Sequence, residues 1–137
     1  MAWYAVAPVA EIPPGGRKLL RIAGREIGVF NQGGRFHALL NRCPHQGGAL
    51  CRGTLVGLVE ADTPGRYRYS RPGEVLKCPV HGWEFDLHTG RSRCDPDQMR
   101  ARRYPATVAP GAALADGTLV AERFAVSVQD DYVIVEV

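Results

Sequence analysis

No stretch of this chain stays apolar for the roughly 18 residues that a bilayer span requires. Its first residues, Met1-Ala2-Trp3-Tyr4, open no charged segment followed by an apolar one, so no secretory signal is predicted. There is no G-x-G-x-x-G and no P-loop, which leaves nucleotide and flavin chemistry without a phosphate-binding turn. No second domain offers the two-His, one-carboxylate set that a mononuclear iron oxygenase would need. Helical periodicity, internal repeats and low-complexity tracts are all missing. Excess charge is missing too: 17 Lys and Arg against 14 Asp and Glu leave +3, too little to imply nucleic-acid binding. These exclusions predict a cytoplasmic chain with reduced thiols, no membrane partner and no nucleic-acid partner.

What is plentiful is Gly (16) and Pro (10), spread between short apolar runs, in a length of 137 residues that fits one domain, 1–137. That pattern predicts an all-β protein. Expected strands are Trp3–Ala7, then Leu19–Ala23 and Glu26–Phe30 about a Gly24-Arg25 turn, then Arg35–Leu40 after Gly33-Gly34. Leu55–Val59 and Arg66–Tyr69 bracket a turn at Asp62-Thr63-Pro64-Gly65, and Glu74–Lys77 follows Arg71-Pro72-Gly73. Trp83–Leu87 alternates and ends at His88-Thr89-Gly90. Phe124–Val128, a turn at Gln129–Asp131 and Tyr132–Val137 close the chain, and Asp95–Arg103 offers a short helical turn.

Two short loops carry the chemistry: Cys43-Pro44-His45 and Cys78-Pro79-Val80-His81. Four cysteines in a reducing compartment point to metal before disulfide. Thiolate and imidazole suit zinc and iron–sulfur clusters alike, so residue type does not choose between them. Spacing does more. Zinc modules usually pair like with like, as C-x2-C followed by H-x3-5-H, whereas each loop here supplies one Cys and one His. Two sulfide-bridged irons suit the mixture better, each loop giving its Cys to one iron and its His to the other. Neutral rings in place of two thiolates remove negative charge and raise the reduction potential, to roughly −150 to +300 mV from about −400 mV.

Cys43-Pro44-His45-Gln46-Gly47-Gly48-Ala49-Leu50 and Cys78-Pro79-Val80-His81-Gly82-Trp83-Glu84-Phe85-Asp86, with Gly90 beyond, resemble the two halves of a Rieske [2Fe–2S] motif. The resemblance covers most of the chain. It implies one [2Fe–2S] cluster per chain, Cys43 and Cys78 on one iron, His45 and His81 on the other, and no catalytic residue. It also implies a Rieske-type antiparallel β-sandwich with a small cluster-binding subdomain of two ligand loops, about 41–94. His45 and Cys78 enclose 32 residues, a longer gap than the family usually has, and the excess is assigned to an inserted hairpin at about 55–74. Respiratory members of the family join their loops by a disulfide; Gly48 and Val80 stand where its cysteines would be. They also place Ser and Tyr hydroxyls where this chain has Trp83 and Phe85. With fewer donors to the reduced cluster, a potential near the low end of the range is expected, as in oxygenase-linked ferredoxins. The resemblance further implies an outward N–H on each imidazole, with electron and proton affinity coupled and the pair titrating together.

The implied function is one-electron transfer from a flavin-dependent reductase to a terminal oxygenase, with no small-molecule substrate of its own. Other readings are the small Rieske subunit of an assimilatory nitrite reductase, a zinc-stabilised interaction module, and a redox sensor using Cys51 and Cys94. The bland reading of those two thiols is structural or inert, of His37 a core or rim residue, and of His88 a solvated turn residue. Arg66-Tyr67-Arg68-Tyr69 reads as an edge strand with its Arg on one face and its Tyr buried on the other. From Arg91 to Arg103 there are five Arg and two Asp while the remainder is neutral, so this segment is either a solvated face or a steering surface for an acidic redox partner.

Overall fold

The computed structural model describes residues 2–114, 119–121 and 124–137, leaving aside the side chains at 59, 60 and 62. In chain order the strands are β1 (Trp3–Pro8), β2 (Arg17–Ile22), β3 (Arg25–Gln32), β4 (Arg35–Leu40), β5 (Thr54–Thr63) and β6 (Arg66–Lys77). There follow β7 (Glu84–Asp86), β8 (Arg103–Tyr104), β9 (Ala106–Pro110), a single helical turn α1 (Gly111–Leu114), β10 (Leu119–Val120) and β11 (Asp131–Glu136). The chain forms two compact units, Met1–Leu40 with Arg103–Val137, and Asn41–Arg102.

The first unit is the expected β-sandwich. One sheet has the order β10-β1-β11-β9 and the other β2-β3-β4-β8. All pairings are antiparallel except β1 with β10. Alternation along each strand sends Val6, Leu20, Ile22, Ile27, Val29, Phe36, Ala38, Tyr104, Val133 and Val135 into one shared core. Burying each large apolar side chain contributes about 1.5–3 kcal/mol.

The two hairpins of this unit turn at Ala23-Gly24 (φ 51° and 80°) and Gly33-Gly34 (φ 60° and 93°). Both central residues are left-handed, which matches the twist of the flanking strands. The first turn therefore falls one residue earlier than Gly24-Arg25, because Arg25 already pairs with Ile22. Buried Asn31 holds the unit's loops: its Nδ2 donates to the Ile12 carbonyl (2.7 Å) and its Oδ1 accepts from the Gly34 N–H (2.8 Å).

Phe124–Val128 is not a strand, contrary to the sequence pattern. Both edges of β11 are taken, by β1 and β9, so the preceding segment has no ladder to join. It is held by Tyr132 instead. The Ser127 N–H donates to the Tyr132 hydroxyl (2.6 Å), which lies 3.5 Å from the Ala125 carbonyl, and the Phe124 ring stacks on Tyr132 at 5.8 Å. β9, β10 and α1 are likewise elements that short, weakly patterned segments did not announce.

The second unit is a three-stranded sheet, β5-β6-β7, bearing the two ligand loops. Glu74–Lys77, read from sequence as its own strand, is the last part of β6. Val56 pairs with Val75 and Leu58 with Ser70, so residues 71–74 bulge out of β6, with Arg71 (φ 50°) and Gly73 (φ 76°) making the bend. β7 pairs only with Val75–Lys77, so past the bulge the hairpin is two-stranded. Its tyrosines are consequently not buried: Tyr67 is 76% and Tyr69 61% exposed, against the edge-strand expectation. Tyr69 leans over Gly57, where an added Cβ would meet its ring at 2.6 Å. The expected helical turn at Asp95–Arg103 is one hydrogen-bonded turn, Met99 N–H to Asp95 carbonyl at 2.9 Å, after which Arg103 enters β8. Among the described residues no helix is long and apolar enough to cross a membrane.

Tyr132→Phe keeps the ring and removes the hydroxyl from Ser127 and Ala125. The expected cost is about 1 kcal/mol, read as a lower urea midpoint at unchanged slope.

Candidate metal centre

The two ligand loops are one turn used twice. In the first, the Cys43 N–H donates to the Gly48 carbonyl (2.8 Å) and the Gly47 N–H donates back to the Cys43 carbonyl (2.7 Å). In the second, the Cys78 N–H donates to the Trp83 carbonyl (2.7 Å) and the Gly82 N–H donates back to the Cys78 carbonyl (3.0 Å). Each loop thus runs Cys-Pro-x-x-Gly, and each glycine is left-handed, with φ 78° at Gly47 and 73° at Gly82. Any side chain there would be strained. His occupies the third position of the first loop and the fourth of the second. The signal for this duplication was present in the sequence as C-P-x-x-G, but five residues are too few to register as a repeat.

The loops meet without a gap. A Cβ on Gly48 would lie 2.5 Å from Val80 Cγ2 and 3.4 Å from Cys78 Sγ. Gly48 and Val80 are therefore in direct apposition, and close packing does what a covalent bridge between the same two positions would do. Asn41 Oδ1 accepts the Cys51 N–H (2.8 Å), tying the start of the first loop to the 3-10 turn Leu50–Arg52. Behind the second loop, Arg71 Nη2 donates to Asp86 Oδ2 (2.6 Å) and Arg71 Nε to Glu74 Oε1 (3.2 Å). Asp86 Oδ1 accepts the N–H groups of His88 (2.7 Å) and Thr89 (3.3 Å). Burial pushes the Asp86 carboxyl up, but the Arg71 hydrogen bond and charge and the two N–H donors outweigh it and hold the group below its ordinary value. His88 is not a solvated turn residue, since its Nε2 stands 2.9 Å from Glu74 Oε1.

The four candidate ligands divide by element. Cys43 and Cys78 are both buried. Burial raises the Cys43 thiol pKa, its Cys78 neighbour adds to the rise, and the N–H groups of His45 and Gln46 work against it. Those two donors are placed to stabilise a thiolate. The His45 and His81 rings meet edge to face, centroids 5.1 Å apart. His45 also stacks on Trp83, at 4.4 Å and 23° between planes. Its ring is thereby fixed, and its Nδ1 is buried with no hydrogen-bond partner among the described residues. A buried nitrogen left without a partner is costly unless something coordinates it. Among the described residues no three His, Cys, Asp or Glu side chains converge as they would on a single ion. A sulfur pair and a nitrogen pair, rather than one tetrahedron, is the donor set of a two-iron cluster. His81 is exposed and His45 half-buried.

The remaining sequence candidates lie elsewhere or play other parts. Cys51 is buried and Cys94 exposed, with no bridge between them. His37 is buried in the sandwich unit with its Nδ1 3.1 Å from Arg103 Nη2. The Trp83 stack and the Arg71–Asp86–Glu74–His88 lattice were missed. Stacking leaves no spacing signature, and an ion-pair lattice across a bulge depends on a register that only the folded sheet sets.

The family profile for the Rieske [2Fe-2S] domain matches residues 2–105. The chain belongs to the Rieske [2Fe–2S] family. Its cofactor is one [2Fe–2S] cluster, and its work is electron transfer rather than catalysis. The 3-phenylpropionate/cinnamic acid dioxygenase ferredoxin subunit of Escherichia coli (strain K12) is 31% identical over 110 residues, 80% of this chain and 88% of that one. Its namesake from Shigella boydii is 31% identical over 102 residues, 74% and 80% of the two chains. Among solved structures, the ferredoxin of carbazole 1,9a-dioxygenase from Nocardioides aromaticivorans IC177 shares the Rieske fold, with a TM-score of 0.60, 22% identity and 97% of each chain covered. A chain of the carbazole-bound oxygenase and ferredoxin complex of carbazole 1,9a-dioxygenase matches with a TM-score of 0.60 at 20% identity. This chain spans 28% of that longer one.

Gly48→Ala should lower cluster occupancy and thermal stability by forcing the loops apart at Val80. Val80→Ala in the same chain should restore most of both, and iron content per chain with the melting midpoint measures it. Asp86 supplies a second test. Because its folded pKa is depressed, its contribution is present above the ordinary carboxylate value and lost as pH falls through the lower, folded one. The stability gap between the wild type and Asp86→Asn should be constant above about pH 5 and shrink only below about pH 4, as followed by urea unfolding.

Proposed function

We propose that Cys43 and Cys78 hold one iron of the cluster and His45 and His81 the other, and that the chain carries single electrons from a flavin-dependent reductase to a terminal oxygenase. The observation that carries the ligand assignment is the division of the two loops into two buried thiols and an imidazole pair in which the His45 Nδ1 is buried without a hydrogen-bond partner among the described residues. When bound, the cluster accepts and gives up one electron at a potential within roughly −150 to +300 mV. The chain's own residues do the rest. The thiol end is sealed by packing, while His81 lies at the surface, so electrons enter and leave at the imidazole end. Trp83 holds His45 in plane, and the ion-pair lattice fixes the turn behind the second loop.

The oxygenase assignment draws on the relatives, ferredoxin subunits by name, whose lengths this chain nearly matches. It accords with a cytoplasmic setting, where reductase and oxygenase would both be met. It is preferred to a nitrite reductase subunit and to a zinc module on the strength of the family match and of those relatives.

The test is purification without oxygen. About two irons and two sulfides per chain, a coloured protein and a rhombic EPR signal after dithionite are expected. Loss of the signal in Cys43→Ser or His81→Ala completes it, and a colourless protein without sulfide overturns the reading. Trp83 and Phe85 bring no hydroxyl, and Phe85 is fully buried. Film voltammetry should therefore give a midpoint below zero, and a value well above zero would contradict the hydrogen-bond argument.

A further inference from the structure

The surface around the imidazole end has its own chemistry. Val80, on the second loop, is apolar, 56% exposed and next to exposed His81. Pro44 stands exposed beside His45 on the other loop. Each loop then carries one cation against its left-handed glycine. An added Cβ on Gly47 would lie 3.7 Å from Arg42 Nε, and one on Gly82 would lie 3.2 Å from Lys77 Cε. Both side chains are thus laid along the loops that bear the histidines.

These cations are not neutralised from within. Among the described residues neither Arg42 nor Lys77 has an ion-pair partner. The carboxylate opposite Lys77 across the strands is Glu84, which faces Arg93 at 3.7 Å. The chain's net charge also falls within the unit that bears these loops. Unit Asn41–Arg102 has ten Lys and Arg against seven Asp and Glu, and the sandwich unit is balanced at seven and seven. The oxidised cluster would not cancel this, since two thiolates and two sulfides balance two ferric ions and the imidazoles are neutral.

We infer that Val80 and Pro44, rimmed by Arg42 and Lys77, form the docking face for a redox protein that presents an apolar depression edged by carboxylates. This rests on the electron-carrier reading and names the chemistry of the partner. Apolar contact lets the His81 edge approach closely and expels water there. The rim cations orient the partner and speed encounter, an effect confined to about a Debye length of roughly 8 Å at physiological salt. Exposed Arg91 and Arg100 lie in the same unit and carry the same sign of charge.

The chain contains only two lysines, Lys18 and Lys77, and Lys18 is bound to Glu11 at 3.3 Å in the sandwich unit. A zero-length carbodiimide, which joins amines to carboxylates, therefore reports the docking face almost residue by residue. Reduced protein whose visible and EPR spectra show an intact cluster is mixed with an acidic cytochrome b5 and, separately, with basic cytochrome c. With cytochrome b5 we expect cross-links at Lys77 rather than Lys18 or the terminal amine. We also expect a reduction rate about tenfold higher in low salt than at 0.5 M, falling several-fold in Arg42→Glu and Lys77→Glu but not in Arg35→Glu. Rates that ignore salt, a preference for cytochrome c at low salt, or cross-links confined to Lys18 would overturn the docking face. In each case the spectra show the cluster intact, so the electron-carrier reading stands apart from that result. Absent cluster spectra would instead sink the reading itself.

Discussion

Everything at the metal centre depends on two five-residue turns pressed together where no side chain fits. Each is closed by two backbone hydrogen bonds, one donated by its cysteine N–H and one accepted by its cysteine carbonyl, and each needs a glycine at the left-handed position. Gly48 and Val80 are in contact across the gap, so the distance between the loops is set by atomic radii. Such a contact is stiff, because overlap of even one methyl costs about 1–3 kcal/mol. The thiol pair, the imidazole pair and the Trp83 stack inherit their positions from it.

The two units divide the labour. In the sandwich, apolar side chains from two sheets fill one core, and polar groups such as Asn31 serve to pin loops. In the loop-bearing unit the sheet is small, and polar interactions carry more of the positioning. Arg71 sits in a bulge, reaches Asp86 and Glu74, and so couples the long hairpin to the turn behind the second loop. A part-buried ion pair of this kind contributes little net stability when compared with apolar packing. Its value here is geometric: it fixes one arrangement of the turn behind the second loop.

The tyrosine hairpin shows where pattern reading goes astray. Alternation of Arg and Tyr from Arg66 to Tyr69 is what a half-buried strand looks like, and it correctly indicates a strand. Burial, however, requires a second layer. β7 stops short of this stretch, and Tyr67 and Tyr69 stand in solvent. The same limit applies to Phe124–Val128, an apolar alternating segment excluded from the sheet because β11 already has neighbours on both sides.

By itself, the sequence marked the four candidate ligands and the kind of structure that bears them. Cys and His at fixed offsets from Pro and Gly are local facts, and local backbone geometry follows from them. Turns at Gly33-Gly34 and within Asp62-Thr63-Pro64-Gly65, the latter confined to Pro64-Gly65 because β5 runs on to Thr63, were legible for the same reason. Tertiary structure alone decided that the loops face each other at Gly48 and Val80 and that His45 is clamped by Trp83. Those are contacts between residues up to 38 positions apart in the chain. They arise from strand register and packing, which sum many weak preferences over the whole fold and leave no trace in any short window of residues.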